Sequence, residues 1–114
     1  MEISRPNENG VLVPTTREIV AWHGRSYAAV HIALCEDGLY RQNVSLCYSH
    51  GGFGGPISTG AIGHASFADA RTAGMKELLC VWAILLPSDP KSVHEELAEL
   101  RQQIADQLQQ PTFL

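Results

Sequence analysis

Hydrophobic and polar positions along this chain follow two different periods, and the change between them divides it. In residues 66–86, SFADARTAGMKELLCVWAILL, the apolar positions Phe67, Ala70, Gly74, Leu78, Val81, Trp82 and Leu85 recur at helical spacing. Asp69, Thr72 and Lys76 fall on the opposite side, and Arg71 intrudes on the apolar side only in the first turn, within reach of water. Ser66, followed three residues later by Asp69, supplies a start signal, because its hydroxyl takes a free amide of the first turn. Gly74 costs about 1 kcal/mol against alanine in a helix interior, so it marks a close approach to another backbone. From residue 78 to 86 every side chain is apolar or cysteine, and that half needs cover on two sides. It is too short to span a bilayer, which takes about 20 apolar residues.

Upstream the period falls to two. Residues 17–22, 27–35 and 39–48 read as strands, with a tight turn at His23-Gly24 after the first. A two-residue Asp37-Gly38 turn sets Val30 and Ile32 beside Ser45 and Asn43. A three-residue loop, Glu36-Asp37-Gly38, instead sets Ala28 opposite Leu46, Val30 opposite Val44 and Leu34 opposite Tyr40. The second register gathers the apolar residues and is preferred. Its other face carries Tyr27, Ala29, His31 and Ala33 against Arg41, Asn43, Ser45 and Cys47. That face is small and polar, and is expected to meet solvent or a partner.

Residues 1–16 are broken by Pro6, Gly10 and Pro14 and read as a loosely held arm with one short strand at 11–13, ahead of a single domain over 17–114. Residues 49–65 carry six glycines and form a long loop, with a possible edge strand at 56–59. Loops of this length are commonly functional or mobile. After residue 86, Pro87-Ser88-Asp89-Pro90 stops one helix and starts another, with Asp89 as cap. The last helix, ended by Pro111, aligns Val93, Leu97, Leu100, Ile104 and Leu108 in a narrow stripe. That stripe either covers Leu79, Ala83 and Leu86 in an antiparallel helix pair or meets its own copy in a homodimer. The fold class is therefore α+β: a three- to four-stranded antiparallel meander packed on one face by the central and C-terminal helices, in the order β-β-β-α-α.

Composition narrows the function. A net charge of −4 over 114 residues, with no basic stripe, lacks the footprint of duplex binding. The first residues, MEISRPNENG, hold no apolar run, and three unmatched cysteines suit a reducing, cytoplasmic setting. His31, Cys35, Cys47, His50, His64 and Cys80 show no paired metal-ligand spacing, Cys47 and His50 being the closest. Cys80 is expected to pack as a small hydrophobe. No metal or cofactor is assigned.

His50-Gly51-Gly52-Phe53-Gly54-Gly55 resembles the oxyanion loop of lipases and esterases, yet no nucleophile turn of the form G-x-S-x-G follows. No phosphate-cradling motif is present, although the glycines precede a helix start. No two carboxylates share a strand face. Enzymatic function is not expected. The binding candidates are His31, Arg41 and Asn43 on the polar sheet face, with His50 and Phe53 in the loop.

Residues 27–79 are similar in element order to the double-stranded RNA-binding domain, with Ala68, Ala70, Ala73 and Leu78-Leu79 matching that family's alanine-rich helix. Where the family's helix start carries phosphate-gripping lysines, this chain has Phe67, Asp69 and Arg71. The resemblance implies a nucleic-acid-binding alternative through the polar sheet face and the glycine-rich loop. The preferred reading is a non-enzymatic domain that docks on a protein and pairs with its own copy, because two helices carry more apolar surface than a small sheet hides. Small acidic chains of this kind are commonly accessory or inhibitor proteins of mobile elements and viruses, acting on larger complexes such as CRISPR effectors. That last step is a general expectation and rests on no residue.

Overall fold

The computed structural model describes residues 1–81 and 90–109. Its centre is a four-stranded antiparallel meander, β3 (Thr16–His23), β4 (Ser26–Leu34), β5 (Tyr40–Tyr48) and β6 (Gly51–Phe53), adjacent in that order. Two short strands, β1 (Arg5–Pro6) and β2 (Leu12–Val13), form a separate hairpin. Helices α1 (Phe67–Val81) and α2 (Lys91–Gln109) pack on one face of the meander. The α+β class and the antiparallel sheet with two helices are those the sequence implies.

The β4–β5 register is the apolar one: Ala28 opposes Leu46, Val30 opposes Val44 and Leu34 opposes Tyr40. The turn explains it. Gly38 adopts φ 82°, a left-handed conformation, and Cys35 N–H donates to Leu39 O at 2.9 Å across a three-residue loop. The fourth strand is not at 56–59. It is Gly51–Phe53, paired with Leu46–Tyr48, while Leu12 N–H donates to Ile57 O at 2.9 Å. Residues 56–59 thus serve the arm and not the main sheet.

Strand β3 carries an irregularity that periodicity does not announce. Ile19 opposes Ala29 but Ala21 opposes Ala28, leaving Val20 as the extra residue of a bulge. Val20 and Ala21 are both buried, and Trp22 is turned away from the helices.

Helix α1 starts as expected, with Asp69 N–H donating to Ser66 Oγ at 3.0 Å. Ala70, Gly74, Met75 and Leu78 are its buried residues, and Phe67 meets the Tyr40 ring edge-to-face at 6.2 Å. Gly74 lies over a side chain of the sheet and not over another backbone: a Cβ there would stand 2.5 and 2.7 Å from the two Val30 methyls. Arg71 reaches a partner as well as the surface, donating to Gln107 Oε1 of α2 at 3.0 Å. Cys80 is exposed, contrary to its expected packing, because it falls on the side of α1 away from the buried Ala70, Gly74 and Leu78. Residues 82–86 and the Pro87–Asp89 boundary, including Ala83 and the Asp89 cap, lie outside the described residues, as does Pro111.

In α2 the stripe is consumed within one chain. Val93, Leu97, Leu100 and Ile104 are each at most 1% exposed in a core with Val20, Ala28, Val30 and Leu46, and Leu79 and Leu108 are partly buried against it. The sheet takes the ridge that the sequence offers to a second copy, since β3 widens the surface available to α2. Polar clasps fix the helix. Glu96 accepts from the Ser26 hydroxyl and from Ser49 N–H (3.1 Å) and Oγ (2.7 Å). Gln103 behaves as a strand mimic, accepting from Trp22 N–H at 3.1 Å and donating to Trp22 O at 2.9 Å, and Gln107 donates to Val20 O at 2.6 Å. These amides cover part of the exposed edge of β3.

The arm is folded back, not loose. Ser4 N–H donates to Leu34 O at 2.6 Å, and Leu12, Ala33, Cys35 and Ile57 make a second small core with Ala61 against it. It sits on the face opposite the helices, so half of the supposedly open polar face is covered.

Replacing Gly74 with alanine should lower stability by about 1–3 kcal/mol through overpacking against Val30, despite the ~1 kcal/mol gain in helix propensity. Val30 is fully buried and both its methyls are in the way. Urea denaturation checks this, and adding Val30→Ala to Gly74→Ala should cost less than the two separate losses combined.

Candidate functional site

Cross-strand pairing sorts the outer face into rows. Arg17, His31 and Asn43 form one; Ile19, Ala29 and Ser45 the next; Trp22, Tyr27 and Cys47 the one after. Beyond the first row, toward Ala33 and Arg41, the arm and the glycine-rich loop cover the sheet. On the β3 side the remaining rows are open, while at β5 the glycine-rich loop passes over Asn43 and Ser45. Trp22 is 65% and Ile19 42% exposed. The Arg17 guanidinium lies 5.6 Å from the centre of the Tyr27 ring, a cation–π distance. It reaches across the middle row, where Ala29 is fully buried. The bulge at Val20 creates this surface, because uninterrupted alternation from Ile19 would send Trp22 toward the helices.

His31 stands in the first row with Nε2 2.8 Å from Ser45 Oγ. Burial lowers its pKa below the ordinary histidine value, and the nearby Arg17 charge lowers it further. Asn43 is directly opposite His31, but its amide works locally, donating to Pro56 O at 2.9 Å and accepting from Val44 N–H at 2.8 Å. Arg41 is engaged inside the covered half. It donates to both carboxylate oxygens of Asp37 (3.1 and 2.9 Å) and to Ala61 O (2.9 Å). His50 is exposed in the β5–β6 turn, and Phe53 is on β6 opposite Leu46, 42% exposed. The fold therefore brings His31 and Asn43 together, employs Arg41 as a fastener, and leaves His50 and Phe53 at the far edge.

Ile19, Trp22 and Arg17 were the residues sequence reasoning left out. Ile19 and Trp22 bound an unbroken apolar run, residues 19–22, in which alternation gives no facing, and no residue type marks the bulge. Among the described residues no three histidine, cysteine, aspartate or glutamate side chains lie together as a metal site. No described helix is long and apolar enough to cross a membrane.

A second feature lies at the edge of β5. A cleft of about 400 Å³ opens between β5, the returning loop and α1, with Gln42, Ile57, Ile62, His64, Ala73 and Glu77 among its walls. Its volume falls in the range of small-ligand sites, about 300–1,000 Å³. Comparison with known protein families, with curated proteins and with solved structures finds no match.

The Asp37–Arg41 pair gives a test of how the outer cover is held. Hydrogen bonds from the Arg41 side chain, then from Leu39 N–H, hold the Asp37 carboxyl below its ordinary value. A depressed carboxyl contributes stability that is present above its unfolded pKa and is lost as pH falls through the folded one. Arg41→Ala should therefore speed exchange of the Leu12 and Ala61 amides roughly tenfold at neutral pH by local opening. Asp37→Asn should do so in part. In the unaltered chain the same loosening should emerge only below the usual carboxylate range, as hydrogen exchange followed by mass spectrometry would show.

Proposed function

We propose that this chain is a non-enzymatic docking module whose working surface is the open half of the outer sheet face, and that its partner is a protein presenting carboxylates around an apolar insert. The observation that carries the proposal is the exposed Trp22–Ile19 pair beside the Arg17–Tyr27 stack. Tryptophan, tyrosine and arginine are the residues that dominate binding at protein interfaces, and isoleucine adds apolar area that no stacking ligand needs.

Charge supports an acidic partner. No carboxylate occupies these three rows, where Arg17 holds the formal charge and Arg25 stands in the turn at their end. The negative side chains Glu77, Glu95, Glu99 and Asp106 are on the helices packed on the opposite face. Complementary fields of this kind set orientation and encounter rate more than raw affinity. Dimer formation through α2 is not part of the proposal, since its apolar ridge is already covered within one chain.

The same face has aromatic rings and an arginine, which are also the elements of single-strand nucleic-acid recognition. The sheet lacks the run of cations that tracks a phosphate backbone, so the protein reading is favoured. A photo-crosslinking residue placed at position 22 should yield a discrete adduct in native lysate that is destroyed by protease and absent when the crosslinker is at position 102 on α2. The adduct should fall at least tenfold in the Arg17→Glu and Ile19→Asp variants. A nuclease-sensitive adduct would transfer the face to the nucleic-acid reading, and equal labelling at both positions would remove the docking face altogether.

A further inference from the structure

The edge of β5 has a gap, and the gap opens into the cleft beside α1. Tyr40 and His64 exchange backbone hydrogen bonds of 2.8 and 2.7 Å at this edge. Outward-facing backbone groups alternate along an antiparallel strand, so Gln42, Val44 and Leu46 face the same way as Tyr40. Leu46 pairs with Phe53 of β6. Val44 N–H is taken by the Asn43 side chain at 2.8 Å. Among the described residues nothing pairs with Gln42 N–H and C=O or with Val44 C=O on this side. A stretch of sheet edge between two paired positions is thus left bare, which native sheets ordinarily avoid.

We infer that this gap is a peptide-binding site that adds a short extended segment of a partner protein as an extra strand, with a lysine or arginine opposite Gln42. The backbone geometry sets the mode, because an incoming residue opposite Gln42 exchanges both hydrogen bonds with it, as in strand addition elsewhere. Between the Tyr40–His64 bridge and β6 there is room for about three residues at ~3.4 Å each.

Side-chain chemistry sets the sequence preference. The residue opposite Gln42 directs its side chain to the same face as Gln42, which is the face of α1. There Gln42 Nε2 donates to Glu77 Oε2 at 3.0 Å, while Gln42 Oε1 is buried without a donor. The pair presents acceptors and negative charge, and no lysine or arginine lines the cleft. A cationic side chain complements it. The two flanking residues of the segment point to the other face, toward Pro56, Ile57 and Ile62, with Ile62 80% exposed. The preferred segment is apolar–basic–apolar.

This site is independent of the open outer face, and the test separates them. The probes are the blocked tripeptides acetyl-Val-Lys-Val-amide and acetyl-Val-Glu-Val-amide, titrated into 15N-labelled full chain and followed by amide shifts. The lysine peptide should give saturable shifts at Gln42, Asn43, Ile62, His64 and Glu77, with at least tenfold weaker binding of the glutamate peptide. Glu77→Gln, which keeps an amide able to meet Gln42, should erase the preference, and Glu77→Lys should reverse it. Arg17→Glu with Ile19→Asp should leave it intact. The inference is overturned if the shifts centre on Trp22 and Tyr27, if Glu77→Lys leaves the order of affinities unchanged, or if the same edge residues broaden with chain concentration in the absence of peptide. That last outcome would give the gap to a second copy.

Discussion

The height of α1 above the sheet is the constraint from which the rest of the arrangement follows. Gly74 has no Cβ, and the space that one would fill belongs to the two methyls of Val30. The helix therefore settles directly on the β4–β5 hairpin. At that distance Gln42 Oε1 is tucked within 3.1 Å of where the Cβ would lie, and the amide of Gln42 reaches Glu77 one turn further along. Close packing of this kind transmits small volume changes, because cores have few voids to absorb them. Helix α2 solves a different problem. It lies against the first strand at the side of the sheet, where long amides do what aliphatic groups cannot: Gln103 and Gln107 both bury carbon and satisfy strand backbone.

With both helices on one face, the chain covers the other by different means. It uses what is at either end of the strands. The arm contributes Leu12 and the loop contributes Ile57, and they close over Ala33 and Cys35, whose small side chains leave room for them. Arg41 fastens the loop by its hydrogen bond to Ala61 O. On β3 the cover stops at Arg17, while on β5 the loop continues over Ser45. Past Arg17 the bulge shifts the alternation of β3, so that Trp22 faces outward on the same side as Ile19 and both are exposed. A large exposed apolar patch beside a covered one is informative because the same chain shows that it can cover such a surface.

The sequence was legible wherever a local rule had a local cause. The hairpin register followed from one glycine in a three-residue loop and from apolar pairing, and both are short-range. The start of α1 followed from Ser66, and the buried side of α2 from its spacing. What was not legible depended on contacts far apart in sequence. Leu12 and Ile57 lie in segments without periodicity, and each is buried only because the other is there. The bulge at Val20 leaves no mark in composition, since either facing of Trp22 is chemically acceptable in a strand. The α2 ridge, which its spacing offers either to α1 or to a second copy, is covered largely by the sheet, a contact that spacing alone does not name. Among the candidate residues, Arg41 reads from the sequence as a binding group on the polar face, whereas in the fold its side chain is engaged by Asp37, four residues back, and by Ala61 O.

The bare edge at Gln42 arises from the same economy of chain. After Phe53 the backbone has ten residues, 54–63, before it must return to Tyr40 through His64. Within that length it has to cross β5, bring Ile57 to Leu12, and give up Ala61 O to Arg41. The crossing is close enough that a Cβ on Gly54 would sit 3.0 Å from Ser45 Cβ. A loop that covers the outer face cannot also run along the edge it has left. The chain answers part of the deficit with Asn43, whose side chain bends back to take Val44 N–H. Gln42, one residue earlier, has its own side chain committed to Glu77 on the helix face. Its backbone is consequently left for something that arrives from outside the fold, in a cleft whose one formal charge is negative.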